Sequence, residues 1–127
     1  MLNTGKKVLV IDDEHIICRA FEKELGEHGY QVDSAYDADQ ALEMINKNEY
    51  DLVFIDLVLP GKDGIQTCQA IKAMNKSATM IFMTGNTDKD PIFKEMEFVD
   101  AGGRTYQLYK PFLEGELLEI AQKALNE

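Results

Sequence analysis

The chain has 127 residues, 45% of them apolar, which is enough for one core of ordinary domain size and too few for two. With 13 Lys and Arg against 23 Asp and Glu, its formal charge of −10 opposes direct contact with nucleic-acid phosphates or anionic lipid. Apolar runs such as Val8–Ile11 and Met80–Met83 fall far below the roughly 18 residues of a membrane span, and the opening MLNTGKKVLVIDDE lacks a small-residue cleavage site. Cys18 and Cys68 are too few for a disulfide framework or a zinc site, and both are expected inside helices in a reducing cytoplasm.

Lys7–Ile11 (KVLVI) is a short β-branched run that suits a strand buried on both faces, and it stops at Asp12. From His15 to Glu27, Ile16, Ile17, Ala20, Phe21 and Leu25 recur at helical spacing, with Gly29 as the terminating glycine. Tyr30–Ala35 reads as a second strand, and Ala38, Ala41, Leu42 and Ile45 mark a second helix ending near Asn46–Asn48. A third strand, Asp51–Ile55, stops at Asp56; Pro60-Gly61 and Gly64 then punctuate a loop before a helix carrying Ile65, Cys68, Ile71 and Met74.

Thr79–Met83 is the fourth predicted strand, halted by Thr84-Gly85. Asp90-Pro91 makes a good start for a fourth helix using Ile92, Phe93, Met96 and Val99. Tyr106–Tyr109 gives a fifth strand, and Leu113–Leu125 a closing helix. Five strands alternating with five helices imply an α/β fold, a doubly wound parallel sheet covered on both faces. Pattern alone leaves the strand order open between two doubly wound arrangements, both of which place ligands beyond the carboxyl ends of the strands.

On that rim converge Asp12 and Asp13 after the first strand, Asp56 at the end of the third, Thr84 after the fourth and Lys110 after the fifth. Carboxylates about 4 Å apart repel by roughly 4 kcal/mol per pair at an effective dielectric near 20, so such a cluster needs cations. Lys110 supplies one charge, and an all-oxygen site with few carboxylates suits Mg2+. The plainer reading makes Asp12, Asp13 and Asp56 helix N-caps. That accounts for one acid per helix, but for neither the doublet nor the Thr and Lys beside it.

VLVIDDE, LVFIDLVLPGKDG, MIFMTG and LYKPF, in that order and spacing, resemble the receiver domain of two-component response regulators across essentially the whole chain, residues 1–127. The resemblance implies strand order 2-1-3-4-5. It implies that Asp56 accepts a phosphoryl group from the phosphohistidine of a sensor histidine kinase or phosphotransfer protein. Asp13, the Asp56 carboxylate and the Val58 carbonyl correspond to direct Mg2+ ligands, with Asp12 acting mostly through water. Thr84 and Lys110 correspond to the hydroxyl and ammonium that meet the phosphoryl group, and the Lys110-Pro111 peptide is usually cis. His15 and His28 are read as surface or capping residues, not phosphate carriers. The surface of the fourth helix, fifth strand and fifth helix is then expected to change and to meet a downstream output domain, another protein or a second copy of the chain.

Three departures stand out. Receivers usually carry Tyr or Phe three residues before the lysine as a switch that moves with the threonine, and that position here is Gln107; Tyr106 and Tyr109 are read as facing away from it. The family's Gly-Ala pair before the fifth strand is altered to Gly103-Arg104, and the 26-residue interval from Thr84 to Lys110 is a few residues longer than the family's, with Asn86–Asp90 the expected insertion. The output face is therefore expected to be specialised around an intact acidic pocket.

Other functions compete. A haloacid-dehalogenase-type aspartyl phosphatase also uses Asp, Thr and Lys, but its DxDx[TV] pattern is missing after the first strand, where Asp12-Asp13-Glu14 stands. A flavodoxin-like cofactor binder would need a Gly-rich phosphate loop after that strand. A scaffold that binds partners without phosphorylation would not need the complete acid, Thr and Lys set. The last predicted helix reaches the end of the sequence, so the expectation is either a free-standing receiver or one cut from a longer regulator.

Overall fold

The computed structural model describes residues 5–59, 61, 63–74, 77–85 and 107–126. The predicted fourth helix, the Asn86–Asp90 insertion, Gly103-Arg104 and Tyr106 lie outside these residues. In chain order the elements are β1 Lys7–Ile11, α1 His15–Gly26, β2 Gln31–Ala35, α2 Ala38–Lys47, β3 Leu52–Asp56, α3 Gly64–Ala73, β4 Thr79–Thr84, β5 Gln107–Tyr109 and a closing helix Glu116–Leu125. All strand pairs are parallel and the order is β2-β1-β3-β4-β5.

The continuous apolar runs are continuous because their strands are covered on both faces. Every residue of β3 is buried, whereas β2, on the sheet edge, buries only Ala35. Alternation then sorts the side chains into two cores. Leu9, Ile11, Val53, Ile55, Met80 and Phe82 pack with α2 and α3, while Val8, Val10, Leu52, Phe54, Ile81 and Met83 pack with α1 and the closing helix. Phe21 of α1 anchors the second layer against Phe54, with ring centroids 4.7 Å apart. The two cysteines are buried as expected, Cys18 on α1 and Cys68 on α3.

Helix starts differ from the sequence reading in one informative place. The closing helix begins at Glu116, not Leu113, because Gly115 takes a left-handed turn (φ 84°) at its N-cap and Leu113 is left 73% exposed. Its first-turn amides are satisfied from α1: the Glu24 carboxylate accepts from Gly115 N–H at 3.1 Å and Leu118 N–H at 2.8 Å. This bridge fastens the two helices that cover one face of the sheet. No helix among the described residues is long and apolar enough to cross a membrane.

Candidate functional site

Parallel pairing sets the strand ends side by side. Ile11 pairs with Ile55, Asp56 with Met83 and Thr84 with Tyr109, and the backbone bonds Leu57 N–H to Met83 O and Lys110 N–H to Thr84 O carry the alignment one residue further. Asp12, Asp56, Thr84 and Lys110 are thereby gathered on one rim from four different strands.

Lys110 is the centre of this rim. Its Nζ donates to Asp56 Oδ2 at 2.8 Å and to Glu14 Oε1 at 3.2 Å, and it forms an ion pair with Asp12 Oδ2 at 2.7 Å. Asp12 and Asp56 are buried. Their other carboxylate oxygens are held by the backbone: Asp12 Oδ1 accepts from Glu14 N–H and Asp56 Oδ1 from Val58 N–H, each at 2.9 Å.

These bonds decide against the plain capping reading of Asp56. The helix that follows it, α3, is capped by Asp63, which exchanges bonds with Gln66 in a capping box. Asp12 grips the approach to α1, but the N-cap position belongs to Glu14, whose side chain caps nothing.

The loop between Asp56 and α3 is pinned by Gly64. A methyl group there would lie 2.5 Å from the Asp56 carbonyl oxygen and 2.8 Å from Leu57 Cα, both backbone atoms. Only glycine lets the start of α3 approach the Asp56-Leu57 backbone this closely.

The electrostatics follow from burial and crowding. Burial pushes the Asp12 carboxyl up to about 6; the Lys110 ammonium and the Glu14 amide oppose that rise, and the Asp56 charge adds to it. Burial by itself would lower the Lys110 ammonium, but Asp12 and Asp56 outweigh it and hold the pKa above its ordinary value.

Oxygens of Asp12, Asp13, Glu14 and Asp56 lie within 4.8 Å of one another, so the cluster could hold a metal. The donor set is all carboxylate, which fits a hard divalent cation. The buried Thr84 Oγ1 has no hydrogen-bond partner among the described residues, as a hydroxyl reserved for an incoming group would.

Of the residues named from the sequence, Asp12, Asp56, Thr84 and Lys110 stand together on this rim, and Asp13 lies with the acidic cluster. Sequence reasoning missed Glu14, whose signal was the third acid of the Asp12-Asp13-Glu14 run. Val58 lies at the rim, 62% exposed, with its amide on Asp56. The reading that turned Tyr109 away from Gln107 is corrected: positions two apart in a strand share a side. Buried Leu108 takes the other side, and Tyr109 is 50% exposed. His15 stacks on Tyr36 at 3.9 Å, and His28 contacts the Glu24 carbonyl at a helix end, so neither histidine belongs to the rim. A cleft of about 490 Å³ between α1 and the closing helix includes Lys23, Glu24 and Leu118 but none of the rim residues.

A family model for the response regulator receiver domain matches residues 8–122. The chain belongs to that family. It is 34% identical over 112 residues to the transcriptional regulatory protein DltR of Streptococcus agalactiae, and 35% identical over 112 residues to the response regulator ArlR of Staphylococcus saprophyticus. Each match covers 88% of this chain, with 48% of DltR and 49% of ArlR, so the chain spans about half the length of these relatives. Among solved structures, chemotaxis protein CheY4 of Vibrio cholerae superposes with a TM-score of 0.85 at 29% identity, over 94% of this chain and 98% of that one. NtrX of Brucella abortus gives 0.84 at 30% identity, over 94% of this chain and 27% of that one. The domain is thus a signalling module with the flavodoxin-like fold of these receivers, and the strand order the resemblance implied is the one observed.

Proposed function

We propose that the chain is one receiver unit, residues 1–127, acting in the cytoplasm, in which Asp56 takes a phosphoryl group from the phosphohistidine of a sensor histidine kinase or phosphotransfer protein. The observation that carries this reading is the single Lys110 ammonium spanning Asp12 and Asp56 at 2.7 and 2.8 Å, on the rim that also holds the orphaned Thr84 hydroxyl. An Asp56 oxygen attacks phosphorus, the bond from phosphorus to the donor atom breaks, and the donor leaves with the electron pair. Phosphoryl transfer of this kind depends on positioning and charge neutralisation more than on a base.

Asp12, Asp13, Asp56 and the Val58 carbonyl are the residues to hold Mg2+, which when bound neutralises charge on the transferring oxygens. Lys110 pairs with one phosphoryl oxygen and Thr84 donates to another, so the domain catalyses its own phosphorylation and later hydrolysis. The added group brings nearly two negative charges to the rim. Thr84 and β5, drawn toward it, pass the change to the output side, with Gln107 standing in place of an aromatic switch. A downstream output domain or protein reads that change.

Incubation with Mg2+ and acetyl phosphate followed by intact mass tests this. The wild type is expected to gain one phosphoryl group, a gain that fails when Mg2+ is withheld and in Asp56→Asn. Turnover of many organic phosphates without a retained phosphoryl group would instead identify a phosphatase.

A further inference from the structure

Lys110 faces three carboxylates, and they are not equivalent. Asp12 and Asp56 are buried and each is clamped by a backbone amide at 2.9 Å. Glu14 contacts the same ammonium at 3.2 Å from a side chain that is 56% exposed, and its carboxylate makes no cap bond to α1. When phosphoryl oxygens arrive at Lys110, Glu14 is the partner that can be released into water at little cost.

We propose that Glu14 is a positioning residue that competes with the phosphodonor for the Lys110 ammonium and so weakens donor binding without altering the transfer step. The proposal rests on the phosphoacceptor reading above. Glu14 holds Lys110 over the acidic pair while no donor is present, and its departure accompanies donor entry. An exposed ion pair is worth a factor of up to about five in an equilibrium constant, which sets the size of the effect. Because Glu14 is half in solvent, salt screens its contribution more than those of Asp12 and Asp56.

The test measures the initial rate of phosphorylation against acetyl phosphate concentration for wild type, Glu14→Gln and Glu14→Asp at saturating Mg2+, with Mg2+ affinity measured separately by calorimetry without donor. For Glu14→Gln, KM is expected to fall about threefold to fivefold at an unchanged maximal rate, and the gap should close in roughly 0.5 M salt. Glu14→Asp keeps the charge but is one methylene too short to reach Lys110, so it should behave like the Gln variant. Mg2+ affinity should stay within about twofold of wild type in both.

An unchanged KM in Glu14→Gln, or an Asp variant matching wild type, overturns the proposal while leaving the acceptor reading intact. So does a tenfold loss of Mg2+ affinity, which would make Glu14 a metal ligand. Failure of the wild type to take up phosphoryl at all overturns the acceptor reading, and this inference with it.

Discussion

The Lys110 ammonium sits 2.8 Å from the Asp56 carboxylate although 54 residues separate them in sequence. The same cation touches Asp12, so one positive charge holds two buried negative ones in place. Removing it should expose their repulsion. Lys110→Met is expected to lose about 3 kcal/mol of stability at neutral pH without metal. Saturating Mg2+ should restore much of that loss. Urea melts with and without Mg2+ check this, and a loss that Mg2+ does not relieve would show that the acids do not share a divalent ion.

The raised Asp12 carboxyl, at about 6 against an ordinary 3.8, makes a signed pH prediction. In the metal-free protein the folded state holds a proton on Asp12 that the unfolded chain gives up between those two values. This group therefore adds stability as pH falls through about 6, and withdraws it as pH rises. Metal binding runs the other way, since Mg2+ competes with that proton: its affinity should weaken by up to about tenfold per pH unit below 6. Calorimetric Mg2+ titrations from pH 7 to 5 measure the slope, and Asp12→Asn should flatten it.

Gly64 is required by contact, not by backbone conformation. Its missing side chain leaves room for the Asp56 carbonyl, so Gly64→Ala should cost about 2 kcal/mol and slow phosphorylation by moving the acceptor loop. Gly26→Ala, at the end of α1 with open space around it, should leave stability unchanged or slightly raised. Equal effects at the two positions, read by urea melts, would count against the close-approach argument.

Burial pushes the Cys18 thiol up to about 11 and the Cys68 thiol up to about 12. Neither should react with Ellman's reagent in the native protein at pH 8, and both should react on unfolding in urea. Fast native labelling of either would mean that its helix opens locally.

How far the sequence could be read depended on what buried each segment. β1, β3 and β4 were legible as unbroken apolar runs because helices cover both faces, and their carboxyl ends named Asp12, Asp56 and Thr84 directly. The start of the closing helix was not, because exposed Leu113 mimics a helical core position and the true boundary is set by the backbone of Gly115. Asp63 was hidden as a cap because Asp-Gly before an apolar run reads as a turn. Glu14 escaped for a different reason: its role depends on the reach of a side chain toward a lysine 96 residues away, which no local pattern encodes.

The most direct test of the central claim is a crystal structure with Mg2+ and beryllofluoride, a stable mimic of the phosphoryl group. The account predicts beryllium on an Asp56 oxygen, fluorines contacting Lys110 Nζ and Thr84 Oγ1, and Mg2+ among Asp12, Asp13 and the Val58 carbonyl. A rim left without either ion under saturating conditions, with Lys110 still bound to Asp12 and Asp56, would contradict it.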